Sequence, residues 1–185
     1  MPAWWWNRLR HRLRQTWRAL WARPKPRDLA AARQVLGPRL WVLFARQARP
    51  DQAHALEVWQ RVRAAGGDRT AQQAALLHDV GKARVPLRLW QRIAAVLGRA
   101  CCPARARAWG QGPPRGWRTA FVVAEQHPTW GATWARQAGA DEAVALLIAH
   151  HHDPAPTALP PRLHAAWALL KAADEDQPLP TPPRA

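Results

Sequence analysis

From residue 28 into the mid-170s, apolar side chains recur at steps of three and four, interrupted by short stretches rich in Pro and Gly, and no window sustains a period of two. The pattern predicts helices and no strands. Residues 29–48 hold one or two helices, interrupted at Gly37-Pro38. Asp51 is placed to cap a helix running through Leu56, Val58, Trp59 and Val62 to a stop at Gly66-Gly67. Thr70 caps the next, which reaches His78, with Gly81 supplying its C-terminal turn. Residues 86–98 form another, carrying Leu87, Trp90, Ile93, Ala94 and Leu97 on one face, and 99–116 is the least regular stretch. Further helices are expected at about 117–126, 128–138, 142–151 and 160–175.

Residues 4–22 differ in character. Trp5, Leu9, Leu13, Trp17, Leu20 and Trp21 form a stripe and arginines fill the remainder, so this segment reads as a basic amphipathic helix that Pro24-Lys25-Pro26 stops. The fold class is therefore all-α: a bundle of about seven or eight helices with an additional N-terminal amphipathic helix. We divide the chain into the basic helix and linker (1–27), the helical domain (28–177) and a Pro-rich flexible tail (178–185).

Charge sharpens this picture. The 185 residues carry 28 Lys+Arg against 12 Asp+Glu, a net +16, and residues 1–27 hold eight basic residues and no acid. Half of the excess thus sits in one short segment. That segment suits the surface of an anionic membrane, with Trp at the interface and Arg on the headgroups. Packing of its Trp face on the domain and binding of nucleic acid are the other readings, and no RNA-binding motif accompanies it. Arg, Ala, Pro and Trp abound while Lys numbers three and Tyr none, a bias that also fits a GC-rich coding sequence. No apolar run approaches the roughly 20 residues of a spanning helix. The two cysteines, Cys101 and Cys102, are adjacent, which excludes a disulfide framework and a paired zinc motif; they read as a buried helix end in a reducing compartment, with a soft-metal or redox site as the alternative. The expected location is cytoplasmic, with peripheral attachment to the inner face of the membrane through residues 1–27.

Candidate chemistry gathers at predicted helix ends. His54 lies one turn into its helix, and His78-Asp79 closes another, followed by Val80-Gly81-Lys82. Imidazole beside carboxylate is a ligand set for Fe, Mn, Zn or Mg, and a nearby ammonium is a point charge for phosphate. Taken alone, the dipeptide is better explained by a plain helix C-terminus, with His set against the dipole and Asp accepting a local hydrogen bond, and later residues change that balance. His127 precedes Pro128, which places it at a helix junction. Val144, Leu147, Ile148 and His151 share one stripe, so His151 points inward while His150 and His152 flank it. Asp174 ends a stripe of Leu163, Ala166, Leu170 and Ala173, where an acid is costly unless paired or metal-bound. Asp153, Glu175 and Asp176 are either partners that orient ligating imidazoles or solvated acids.

The spaced set His54, His78-Asp79, His127, His151 and Asp174 resembles the HD-domain superfamily of metal-dependent phosphohydrolases over about residues 39–176. Ala74-Ala-Leu-Leu-His-Asp-Val-Gly-Lys82 is close to its signature, and Leu169-Leu-Lys-Ala-Ala-Asp174 to its closing acidic motif. His127-Pro-Thr-Trp-Gly131 and the histidines at 150–152 are similar to the extra histidines of the HDIG and HD-GYP branches. The resemblance implies an HD-like bundle in which His54, His78, Asp79 and Asp174 form the core of a metal site. Asp79 would bridge two ions, His127 and His151 would complete a second position, and Lys82 would contact substrate phosphate. One or two divalent ions are implied, Fe or Mn first, with Mg or Zn as alternatives, and Asp79 and Lys82 as the catalytic residues. The implied substrate is a nucleotide or other small phosphoester. The rival is a non-enzymatic module that keeps the metal as a ligand sensor or scaffold tethered by its basic N-terminus. After the histidine run the chain reads Asp153-Pro154-Ala155-Pro156 instead of Gly-Tyr-Pro, which disfavours cyclic di-GMP.

Overall fold

A computed structural model describes residues 24–180, so the helix expected at 4–22 and residues 181–185 of the tail lie outside the described range. Among the described residues there are eight α-helices and no strand. They are α1 (Pro26–Arg46), α2 (Arg49–Ala64), α3 (Arg69–Leu77), α4 (Leu89–Cys101), α5 (Pro103–Trp109), α6 (Thr119–Gln137), α7 (Glu142–His150) and α8 (His164–Asp174). Short 3-10 turns at Val80–Arg84, Gly116–Arg118 and Pro161–Leu163 join some of them. No described helix is long and apolar enough to cross a membrane.

Helix α3 is the centre of the bundle. Ala74, Ala75, Leu76 and Leu77 are wholly buried, because α1, α2, α7 and α8 all pack around this one short helix. Its start is set by Asp68, whose carboxylate accepts from the Ala71 N–H at 2.8 Å, and not by Thr70, which lies inside the first turn. Asp51 is likewise not a cap. Pro50 in the first turn of α2 needs no N–H partner, so the helix begins earlier, at Arg49, and Asp51 is buried within it. There both its oxygens accept from the Arg92 guanidinium of α4, at 2.8 and 3.0 Å.

Two expected helices, 117–126 and 128–138, are one. Pro128 sits inside α6, where a missing hydrogen bond and ring clash cost about 3 kcal/mol. Burial outweighs it: Val122 and Val123 alone, 0 and 2% exposed, contribute about 1.5–3 kcal/mol each. The Ala124 carbonyl, which Pro128 cannot bond, accepts instead from Arg99 Nη1 at 3.4 Å. His127 therefore stands on the buried face of a continuous helix and not at a junction. The stretch expected to be least regular also holds helix: α4 runs on to Cys101, and Pro103 starts α5 immediately beyond Cys102. Both cysteines are exposed there, contrary to the buried helix end expected of them.

Gly81 positions the site by close approach. It lies in the 3-10 turn Val80–Arg84, which packs along α6, and a Cβ at this position would overlap the His127 carbonyl oxygen and lie 2.8 Å from the Gly131 nitrogen. Only a residue without a side chain lets the turn carrying Lys82 touch the helix carrying His127. Gly112 gives the control, since its φ is +86° and open space surrounds it. Gly112→Ala should cost about 1–2 kcal/mol through backbone strain alone. Gly81→Ala should cost clearly more in urea unfolding, and equal losses would contradict the close-approach role.

Candidate metal centre

Six residues distant in sequence converge on one point. His54 comes from α2, His78 from the C-terminal end of α3 with Asp79 after it, His127 from the middle of α6, His151 from the end of α7 and Asp174 from the end of α8. Three helices therefore aim their C-termini at the cluster, and the partial negative charge of those ends favours a cation. His54, His78 and Asp174 each offer one donor atom, all within 4.8 Å of one another, and so do His127, His151 and His152. Asp79 stands between the two groups: its Oδ2 is 3.5 Å from His78 Nε2, and its Oδ1 is 3.1 Å from His127 Nε2 and 4.0 Å from His151 Nε2.

The orientation of the rings is set by their own helices. His78 Nδ1 donates to the Ala75 carbonyl at 2.9 Å, His127 Nδ1 to Val123 at 2.9 Å and His151 Nδ1 to Ile148 at 2.7 Å. A carbonyl can only accept, so each Nδ1 carries the proton and each Nε2 is left to act as ligand. Those three Nε2 atoms and Asp79 Oδ1 are buried without any hydrogen-bond partner. Leaving four such atoms unsatisfied costs about 1–3 kcal/mol each. A bound divalent ion would satisfy them together, so the donor set fits a metal.

The remaining donors open the centre to solvent. His54 Nε2 meets Asp174 Oδ1 at 2.8 Å, with side chains 30 and 18% exposed. Lys82 Nζ donates to Asp79 Oδ2, and its side chain is 32% exposed. His78, Asp79, His127 and His151 are at most 2% exposed, so the approach runs past His54, Asp174 and Lys82.

Electrostatics in the metal-free centre follow from two buried carboxylates. Burial alone would lower His78, but the Asp79 and Asp174 charges prevail and raise it to about 10. The same pairing works in reverse on the acids. Burial pushes Asp79 up, yet Lys82 and His78 hold it well below its usual range; for Asp174, His78 and His54 do so. His151 falls to about 3 through burial and the positive charge on His78 and His127, and burial lowers His127 as well. Lys82 rises, because Asp79 outweighs its burial. A proton on His78 thus supplies the positive charge that a metal would otherwise bring.

His152 was expected only to flank the inward stripe. The helix ends at His150, so the helical projection fails beyond it, and the turn brings the exposed His152 ring to 4.1 Å from His151 and 4.9 Å from His127 between centroids. The acids considered as orienting partners lie elsewhere: Asp153 accepts from His150 at 2.7 Å, Glu175 pairs with Lys171 and Asp176 with Arg61. A family model described as HD domain matches residues 52–181, which span every residue of the centre. No curated protein and no solved structure matches the chain.

These shifts set a pH optimum for the chelated protein. His78 is raised from 6.5 to about 10, so its contribution to stability is complete below 6.5 and is lost as pH rises through 10. His151 is lowered from 6.5 to about 3, so stability falls as pH drops from 6.5 toward 3. The depressed Asp79 and Asp174 add a further loss at strongly acid pH. Denaturant titrations after chelation should therefore show greatest stability near pH 6.5, and a monotonic rise from pH 6 to 9 would contradict this charge arrangement.

Proposed function

The chain belongs to the HD domain family, and from that premise we propose that it is a metal-dependent phosphohydrolase acting on a nucleotide or other small phosphoester. The observation that carries this reading is the convergence of three partnerless Nε2 atoms on Asp79 at a buried centre reached from solvent past His54, Asp174 and Lys82 and flanked by the exposed His152. His54, His78 and Asp174 would hold one ion and His127 and His151, aided by His152, a second, with Asp79 between them. Mixed imidazole and carboxylate donors suit Fe or Mn first. When bound, such ions polarise a phosphoryl oxygen and lower the pKa of a coordinated water.

The protein's own groups do the rest. Asp79, held ionised by Lys82 and His78, offers Oδ1 to one side of the centre and Oδ2 to the other. The ammonium of Lys82, fixed on Asp79 and part exposed, faces incoming substrate as a point charge for a phosphate oxygen. The buried walls of α3, α6 and α7 shield the donors behind these residues from bulk water, with His152 at their exposed edge. His127 and His151 joining the cluster, with no Gly-Tyr-Pro after residue 152, point to an HDIG-like branch and away from cyclic di-GMP. The free Cys101 and Cys102 fit a reducing compartment, the cytoplasm. Peripheral attachment through residues 1–27 remains part of this proposal.

Three measurements test it. Elemental analysis should find one or two transition-metal ions per chain, with Asp79→Ala losing more than His151→Ala, since only the former faces both donor groups; equal losses would contradict the bridging role. A screen of nucleotides, dinucleoside polyphosphates and aryl phosphates should show turnover dependent on added Mn or Fe. Lys82→Met should keep its metal and lose kcat/KM by about 10–100-fold, in line with the usual effect of a group that holds a ligand. Metal retained without turnover on any substrate would favour the sensor or scaffold reading.

A further inference from the structure

The net positive charge of the chain comes from two segments. Residues 84–118 contain eight arginines and no acid, so they carry +8. Residues 1–27 carry the other +8, and all the rest of the chain balances at 12 basic against 12 acidic residues. Segment 84–118 comprises α4, α5 and the turn at Gly116–Arg118, and Arg84, Arg88, Arg105, Arg107, Arg115 and Arg118 are all exposed.

Helix α4 is also turned the unusual way round. Its inner face is polar or small: Arg92 reaches Asp51, Arg99 reaches the Ala124 carbonyl, Ala95 is buried, and a Cβ on Gly98 would press on Phe121. Its apolar stripe faces solvent, with Leu89 45%, Trp90 56% and Leu97 39% exposed. Trp117, 58% exposed, rests its ring edge on Phe121, the same side chain that receives Gly98. Four large apolar side chains thus stand out from an arginine-rich segment in which Arg92 and Arg99 meet the acids of neighbouring helices, Asp51 and Glu125, while six further arginines are exposed, an arrangement that marks an interaction site.

We propose that this face, α4 with the Trp117 turn and the arginines around it, docks on an anionic lipid surface. Trp and Leu ringed by Arg match the depth profile of a bilayer interface, where indole settles at the headgroups, aliphatic chains reach the acyl boundary and guanidinium meets phosphate. A nucleic acid would engage the arginines and stack on Trp, but it offers nothing for Leu89 and Leu97. A second copy of the chain would bring its own +8 against the first. Docking here holds the metal centre near the lipid, because Arg92 ties α4 to Asp51, one turn before His54. This attachment is separate from residues 1–27 and does not depend on the phosphohydrolase reading.

The two cysteines allow a local test. Cys101 and Cys102 are the only ones in the chain, exposed at the α4–α5 junction, so an environment-sensitive fluorophore on them reports this face in the full-length protein. Its emission should shift to the blue with vesicles of phosphatidylcholine containing phosphatidylglycerol, not with phosphatidylcholine alone, and the shift should fade in high salt. Trp90→Ser with Leu97→Ser, or Arg105→Glu with Arg107→Glu, should weaken partitioning more than about tenfold. Melting curves should be unchanged, because these side chains are exposed. No shift while the protein still sediments with vesicles would overturn the proposal and assign binding to another segment. An equal shift on neutral vesicles, or a shift with single-stranded RNA and none with vesicles, would overturn it too.

Discussion

Four buried atoms without hydrogen-bond partners, Nε2 of His78, His127 and His151 and Oδ1 of Asp79, are the constraint around which this bundle is arranged. Burying even one such group is costly, and burying four on one spot persists only if something satisfies them together. Each imidazole has already spent its Nδ1 proton on a carbonyl one turn back in its own helix. Local helix geometry therefore selects the tautomer, and the tautomer leaves each Nε2 as the atom that can ligate a cation.

The same demand accounts for features that packing of the apolar core alone would not favour. Gly81 is pressed against the His127 carbonyl, and three helix C-termini meet in the interior. Placing Asp79 beside Lys82 and His78 keeps the carboxylate ionised in surroundings that would otherwise protonate it. The apolar core under this layer, with Trp59, Leu76, Leu147 and Leu170 nearly or wholly buried, fixes the positions of α2, α3, α7 and α8 so that their ends converge.

Much of this was legible in residue order because helix periodicity is local. The stripe through Val144, Leu147 and Ile148 pointed correctly to a buried His151, and the spacing of the His and Asp residues carried the family resemblance. What failed were places where distant residues decide the outcome. Asp51 looks like a cap until Arg92, from another helix, claims both of its oxygens. Pro128 looks like a break until burial of α6 outweighs its cost. His152 could not be placed by a helical projection, since the helix has already ended. The +8 outside residues 1–27 reads as diffuse along the sequence, and its gathering in 84–118 gains meaning only from the tertiary fact that α4 turns its apolar stripe outward.

The central claim is that the three buried imidazoles hold metal through Nε2 while keeping Nδ1 protonated. Titration of zinc into the metal-free protein, followed by nitrogen NMR of labelled histidine side chains, tests it most directly. The account predicts that the Nε2 resonances of His78, His127 and His151 shift on binding while their Nδ1 protons stay in place. Zinc binding that leaves these Nε2 signals unmoved, or that strips the Nδ1 protons, would contradict it.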